Sequence, residues 1–184
     1  MPASKKIQEI VDAISNHRRA VLDAISGLSE TQLGYKPSDS NWSITDVLHH
    51  LALTEEANLK LASRMLKQAQ ALNLPPDPTP DGSEINCLEP FAEKLGSTRA
   101  QAPDFVAPQS HLPVEESLAR LEASRQRFLE VIEGLGQYDL SLLKYPHPIL
   151  GELNMYQWLV IAGGHERRHA AQIERMKAQF DFPK

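Results

Sequence analysis

The chain has 184 residues, of which 41% are hydrophobic and 23% are charged, and its formal net charge is -5. This length suffices for one domain with a sizeable core, and the acidic balance argues against a protein that grips nucleic acid backbone. The single cysteine, Cys87, excludes an intramolecular disulfide, and no stretch approaches the roughly 20 apolar residues of a membrane span. We therefore expect one cytoplasmic domain over residues 1–184 that binds neither nucleic acid nor membranes.

Four segments carry apolar side chains at the three- and four-residue spacing that is typical of amphipathic helices. These segments are residues 4–26, 43–72, 114–133 and 153–179. Ser43 and Asp46 form a predicted capping box at the start of the second helix, and Gly134 and Gly136 are predicted stops for the third. We find no β-hairpin signal between the helices, so the pattern predicts an all-α four-helix bundle.

The connection between the second and third helices, residues 73–113, is unusually long and holds eight of the 13 prolines. Connections of this length are typically functional or disordered. Phe91, Leu95, Phe105 and Val106 supply apolar anchors within it. We therefore expect an ordered excursion over one end of the bundle.

The fourth predicted helix contains two histidines, His165 and His169, at a spacing that places both on one face. Metal sites in bundles are built from side chains on facing helices, so a third ligand is expected from another helix. His49 and His50 lie in the second helix and point about 100° apart, so at most one of them joins the site. His50 shares a face with apolar residues, which favours it, but the spacing leaves both open.

Three neutral imidazoles suit Zn²⁺, Ni²⁺ or a related divalent ion. A fourth coordination position that is left to water makes such a site catalytic instead of structural. An ion bound there would bring the pKa of a bound water or thiol into the physiological range.

The pair also matches the His-Glu-x-x-His pattern of metal-dependent hydrolases, in which Glu166 would be the general base. Such enzymes need a further ligand, commonly downstream, and only 15 residues follow His169. Glu174 lies too near on the same helix, and the strands that flank such a helix are missing. Under this hydrolase hypothesis, Glu166 is the candidate catalytic residue.

Two passages and the order of the helices together resemble the DinB-like superfamily, which includes metal-dependent thiol transferases. The first passage, residues 35–51, has Pro37 in a loop, then Trp42 and Ser43, then a histidine directly before Leu51. The second, residues 164–173, has the two histidines followed by Gln-Ile. The long connection between the second and third helices agrees as well.

The resemblance implies a function as well as a fold. It implies that the histidine before Leu51 is the third ligand, which gives a site of His50, His165 and His169. It also implies a transferase that acts on a small-molecule substrate with a low-molecular-weight thiol such as bacillithiol, mycothiol or glutathione. The alternative hypothesis is a non-catalytic metal-binding or stress-associated bundle that forms a homodimer.

Overall fold

The computed structural model describes residues 4–93, 102–108 and 112–184. Within this part of the chain lie five α-helices: α1 (Lys5–Ile25), α2 (Glu30–Leu33), α3 (Ile44–Leu72), α4 (Val114–Leu135) and α5 (Met155–Lys177). The same residues include two strands, β1 (Lys144–His147) and β2 (Gly151–Asn154), and three 3₁₀-helices, Glu89–Phe91, Asp104–Val106 and Leu140–Leu142. The long helices α1, α3, α4 and α5 confirm the predicted mostly helical bundle.

The four long helices begin and end within two residues of the predicted bounds. Caps explain several ends: the Ser4 hydroxyl accepts from the Ile7 amide at the start of α1, and Asn73, with φ of 47°, ends α3 in the left-handed conformation. Of the two predicted stops of the third helix, Gly136 is its C-cap, and α4 continues through Gly134 to Leu135.

The expectation that the chain lacks a β-hairpin is wrong. Strands β1 and β2 pair antiparallel, with Lys144 opposite Asn154 and His147 opposite Gly151. The strands have only four residues each and bury little, so they lack the alternation of apolar side chains that reveals longer strands. Leu153, which we assigned to the fourth helix, is a buried strand residue directly before α5.

A further short helix, α2, lies between the first and second predicted helices. Ser29 and Gln32 form a capping box there, with Gln32 Oε1 accepting from the Ser29 amide at 2.8 Å. Four residues are too few to show a helical spacing of apolar side chains, so the sequence pattern did not predict it.

The bundle packs α1 along α5 and α3 along α4, while α3 also contacts α5. Two apolar clusters fill its core. The first includes Ile7, Ile10, Ile14, Phe128, Ile132 and Leu159. The second includes Val21, Val47, Leu48, Leu121 and Ile173. Burying each large apolar side chain contributes about 1.5–3 kcal/mol, so these clusters hold the four helices together.

The first part of the long connection is anchored to the bundle by Asp77. Lys6 Nζ lies 2.8 Å from Asp77 Oδ2, and the Tyr156 hydroxyl donates a hydrogen bond to the same carboxylate. Burial alone would raise the pKa of this carboxyl, but the hydrogen bonds from Lys6 and Tyr156 lower its pKa to about 2. This part of the connection is therefore ordered, as expected.

The predicted apolar anchors of the connection differ in their burial. Val106 is 5% exposed and packs against the bundle, whereas Phe105 is 71% exposed, so it is not an anchor. Phe91 is half-buried, and Leu95 lies outside the described residues. No helix in the described ranges is long and apolar enough to cross a membrane.

Candidate metal centre

The start of α3 sets the position of the candidate ligand on that helix. The Ser43 hydroxyl accepts from the Asp46 amide at 3.0 Å, and Asp46 Oδ2 accepts from the Ser43 amide at 2.9 Å. This confirms the predicted capping box. Lys36 pairs with the same carboxylate at 3.1 Å. Because the helix begins at a fixed residue, the side chain of His50 is directed inward about two turns later.

The His50 ring is held in one orientation by the distant segment around Val106. The Val106 carbonyl oxygen lies 2.8 Å from His50 Nδ1. A carbonyl can only accept, so the proton of a neutral His50 is on Nδ1 and its Nε2 carries a free lone pair. Trp42 packs against the ring, with the two ring centroids 4.8 Å apart.

On α5, His165 and His169 complete a cluster with His50. The Nε2 atom of His165 lies 3.1 Å from that of His50 and 3.2 Å from that of His169. One ligand nitrogen from each ring lies within 4.8 Å of the other two. His169 Nδ1 donates to Gln172 Oε1 at 2.7 Å, which leaves the lone pair of its Nε2 free as well.

These separations suit one small cation. Zinc–nitrogen bonds of about 2.0–2.1 Å in a tetrahedral site place two ligand nitrogens about 3.3 Å apart. The two measured Nε2 distances, 3.1 and 3.2 Å, are close to this value. The three residues that the family resemblance implied, His50, His165 and His169, thus lie together.

Burial keeps these imidazoles neutral. It lowers the pKa of His50, and it lowers that of His165 well below the usual range, aided by the neighbouring imidazoles. Burial and the nearby His50 bring the pKa of His169 to about 4. Neutral imidazoles are the form that binds metal, so no proton has to leave these rings at neutral pH.

His49, the alternative that the spacing left open, lies outside the cluster. It is buried, but it lines a separate cavity between α3, α4 and the segment around Val106. Among the described residues its Nδ1 has no hydrogen-bond partner. The structure therefore brings His50, and not His49, to the two histidines of α5.

Glu166, the candidate general base, belongs to a different cluster. Its Oε1 accepts from Arg18 and, at 2.8 Å, from Arg125. Arg125 Nε also donates to Glu55 Oε1 at 2.6 Å, and Arg18 pairs with Glu55 as well. Within the described ranges, the metal-capable group at the three histidines contains no carboxylate. The structure thus places Glu166 in an ion-pair network and not among the metal-capable side chains.

Each of the four long helices supplies one residue to this ion-pair network, which we call the charge cluster: Arg18, Glu55, Arg125 and Glu166. All four side chains are at most 10% exposed. Along each helix the residue lies between members of the two apolar clusters. The sequence patterns above did not predict this cluster, although a charged residue within an apolar stripe, such as Arg18 between Ile14 and Val21, was a usable signal.

Cys87 takes no part in the candidate centre. It is half-buried, and burial followed by the nearby Glu84 raises the pKa of its thiol to about 11. A thiol that stays protonated at neutral pH is a poor nucleophile and a poor metal ligand.

Comparison with known proteins identifies the fold family. A model of the DinB superfamily matches residues 13–173. The chain is 27% identical over 158 residues to "Uncharacterized protein YuaE" of Bacillus subtilis (strain 168), covering 85% of this chain and 90% of that protein. It is 26% identical over 172 residues to a "Putative metal-dependent hydrolase" of Geobacillus kaustophilus (strain HTA426), covering 94% and 84%.

A solved structure supports the same fold. "Crystal structure of TT2238, a four-helix bundle protein" superposes with a TM-score of 0.62 and 21% sequence identity. The match covers 92% of this chain and 98% of that one. Over nearly their whole lengths, the two chains therefore share the bundle architecture.

Proposed function

This chain belongs to the DinB superfamily, and we propose on that basis that it is a metal-dependent enzyme that acts on a small molecule. The observation that carries the proposal is the convergence of Nε2 atoms from His50, His165 and His169. Without a cation, the lone pairs of His50 and His169 point into the same small volume. A divalent ion bound there would accept these lone pairs.

The donor set favours Zn²⁺ or Ni²⁺. Both ions accept imidazole nitrogen, whereas Mg²⁺ and Ca²⁺ prefer oxygen ligands. Val106 and Gln172 each accept from the Nδ1 of a ligand histidine, and such contacts fix the ring and raise its basicity. Three protein ligands leave room for a fourth, exchangeable one, which is the arrangement of catalytic sites.

The chemistry that a bound divalent ion supplies is a lowered pKa for a ligated water or thiol. Glu166, the carboxylate nearest in sequence, pairs through Oε1 with Arg18 and Arg125 and is not part of the metal-capable group of described residues. A thiol loses its proton far more readily than water does, so it needs a general base least. The surroundings of the three histidines therefore favour transfer from a low-molecular-weight thiol to an electrophilic substrate.

Arg168 supports an anionic reactant at the centre. It lies between the two histidines of α5 in sequence, and its positive charge contributes to the lowered pKa values of all three ligand histidines. A thiolate, or a thiol that carries carboxylates, is attracted by this charge together with that of a divalent ion.

Hydrolysis is the second candidate function. It is favoured by the names of several relatives, among them the Geobacillus kaustophilus protein described above. In that reaction the nucleophile is water, and a substrate group or bulk solvent takes the proton, since Glu166 is engaged elsewhere.

Metal analysis tests the first part of the proposal. Purified protein is expected to bind one Zn²⁺ or Ni²⁺ per chain, and His169→Ala is expected to lose it. His147→Ala, which removes a histidine of the hairpin, is the matched control and should retain the metal. Equal metal content in His169→Ala and in the unaltered protein would overturn the three-histidine centre.

Activity measurements test the second part. The metal-loaded protein is incubated with a small electrophile and bacillithiol, mycothiol or glutathione in turn, and the thioether product is measured. Parallel samples with ester and amide substrates report hydrolysis. Thioether formation that is lost in His169→Ala supports transfer, and hydrolysis without thioether supports the second candidate. Absence of turnover in both would favour a non-catalytic metal-binding bundle.

A further inference from the structure

A cavity of about 580 Å³ is lined by residues on both sides of Val106, whose carbonyl contacts the candidate ligand His50. Its walls come from α3, α4 and the residues that flank Val106 in sequence. The volume is within the usual range of small-molecule sites, about 300–1,000 Å³. The three ligand histidines are not among its lining residues, so this space is separate from the centre.

The lining is mostly apolar. Leu53 from α3, Phe105 from the 3₁₀-helix and Leu112 before α4 line the cavity. Phe105 is 71% exposed, which leaves a large apolar ring facing solvent at this place. An apolar ligand body would cover such surface, at about 25 cal/mol for each Å² removed from water.

Two hydrogen-bond donors share the cavity with this apolar surface. His49 lines it, yet His49 Nδ1 is shut off from solvent and has no partner among the described residues. A proton on that atom would be a buried donor without an acceptor, so the proton is placed on Nε2. The edge of the ring that carries Nε2–H is thus the part that can meet a ligand.

Arg120 supplies the second donor from α4. One nitrogen of its guanidinium donates to Glu116 at 3.0 Å, and the group has five N–H donors in total. Asp104 also lines the cavity, and this residue already has an interaction partner. The lining therefore offers donors for one anionic group, and Asp104 disfavours a second.

From these contacts we propose that this cavity binds a small apolar molecule with a single carboxylate, which accepts hydrogen bonds from His49 Nε2 and Arg120. The apolar body lies against Leu53 and Phe105. This site goes beyond the proposed function, because it requires neither the metal nor the three ligand histidines.

Octanoate and octylamine are the probes, since they share an apolar chain and differ in charge. Calorimetric titration of the full chain is expected to give octanoate at least tenfold higher affinity than octylamine. Arg120→Gln should remove most of this difference in affinity, because it removes the charged donor of the hydrogen bond to the carboxylate. Arg127→Gln, an exposed arginine of the same helix, is the matched control and should leave it unchanged.

Two further variants distinguish binding in this cavity from binding at the metal centre. Leu53→Trp narrows the cavity and is expected to weaken octanoate binding while the fold, followed by circular dichroism, persists. His169→Ala is expected to bind octanoate as the unaltered protein does. Equal affinity for both probes, no effect of Arg120→Gln, or loss of octanoate binding in His169→Ala would each overturn the proposal, the last because the carboxylate would then lie on the metal.

Discussion

Two polar clusters lie inside the bundle, and they differ in how their side chains are paired. In the charge cluster, the carboxylates of Glu55 and Glu166 are each paired with arginines from other helices. In the histidine cluster, by contrast, nitrogen lone pairs of His50 and His169 point toward the same place. We call the first cluster complete because its two guanidinium groups balance its two carboxylates, although Glu166 Oε2 has no hydrogen-bond partner among the described residues. We call the second cluster incomplete because we propose that it holds a cation.

Within a single turn of α5, one side chain belongs to the cluster that stabilises the fold and its neighbour belongs to the cluster of the proposed function. His165 turns toward the incomplete cluster, while its neighbour Glu166 turns toward the complete one. Breaking a complete buried cluster leaves a charge without a partner and costs several kcal/mol. Removing a ligand from an incomplete cluster instead costs metal affinity.

The largest expected effect is on the charge cluster. Glu55→Gln keeps the size of the side chain but leaves Arg18 and Arg125 with one carboxylate, so we expect a loss of about 3–5 kcal/mol in the free energy of unfolding. Urea denaturation in the presence of a chelator measures this loss without a contribution from metal.

Glu174→Gln is the control, since it removes an exposed carboxylate that pairs with Lys177. That variant should lose less than about 1 kcal/mol. A loss of similar size in both variants would show that the charge cluster does not stabilise the fold.

The next effect concerns the histidine cluster. His165→Ala is expected to change the stability of metal-free protein little, and to weaken Zn²⁺ or Ni²⁺ binding at least 100-fold. Metal at 100 times its dissociation constant stabilises the native state by about 2.7 kcal/mol, and the variant should lack this gain. Thermal unfolding with and without metal distinguishes the two clusters, because only the incomplete one should respond.

A third polar cluster, in which Lys6 and Tyr156 contact Asp77, is expected to make the stability of the fold depend on pH. The pKa of Asp77 is lowered to about 2, so its contribution is present above the unfolded value near 3.8 and is lost as the pH falls toward 2. Asp77→Asn is expected to cost about 2 kcal/mol at pH 7 and to flatten the fall in stability between pH 4 and pH 2. An unchanged acid limb in unfolding curves would contradict this role.

The smallest expected effect is on the orientation of a ligand ring. Gln172→Leu removes the acceptor of His169 Nδ1, and changes of this kind lower metal affinity about 10–100-fold. We expect a loss of metal affinity near the lower end of this range, about 10-fold, because the His169 ring stays buried. Competition with a chromophoric chelator measures the affinity. Gln126→Leu on α4, which removes an amide that donates to exposed Glu122, is the control and should bind metal normally.

Much of the fold could be predicted because helical spacing is a local property. The apolar stripe of α1, for example, is visible in Ile7, Ile10 and Ile14, and all three are buried. The hairpin at Lys144–His147 and Gly151–Asn154 could not be predicted in this way, because each strand is short and mostly exposed. Its register is set by pairing between strands and by the left-handed Gly151, not by a stripe along one strand.

The candidate site shows the same division. The sequence by itself determined that His165 and His169 share one face of a helix, because four residues make about one turn. Helical spacing left His49 and His50 both open, because adjacent residues point about 100° apart, and the family resemblance implied His50. The tertiary structure supplies the physical reason, since the packing of α3 against its neighbours brings His50 to the pair on α5. The same packing pairs Glu166, the sequence-based candidate for the general base, with Arg18 and Arg125. A motif fixes spacing along a helix, whereas the neighbouring helices determine which group each side chain meets.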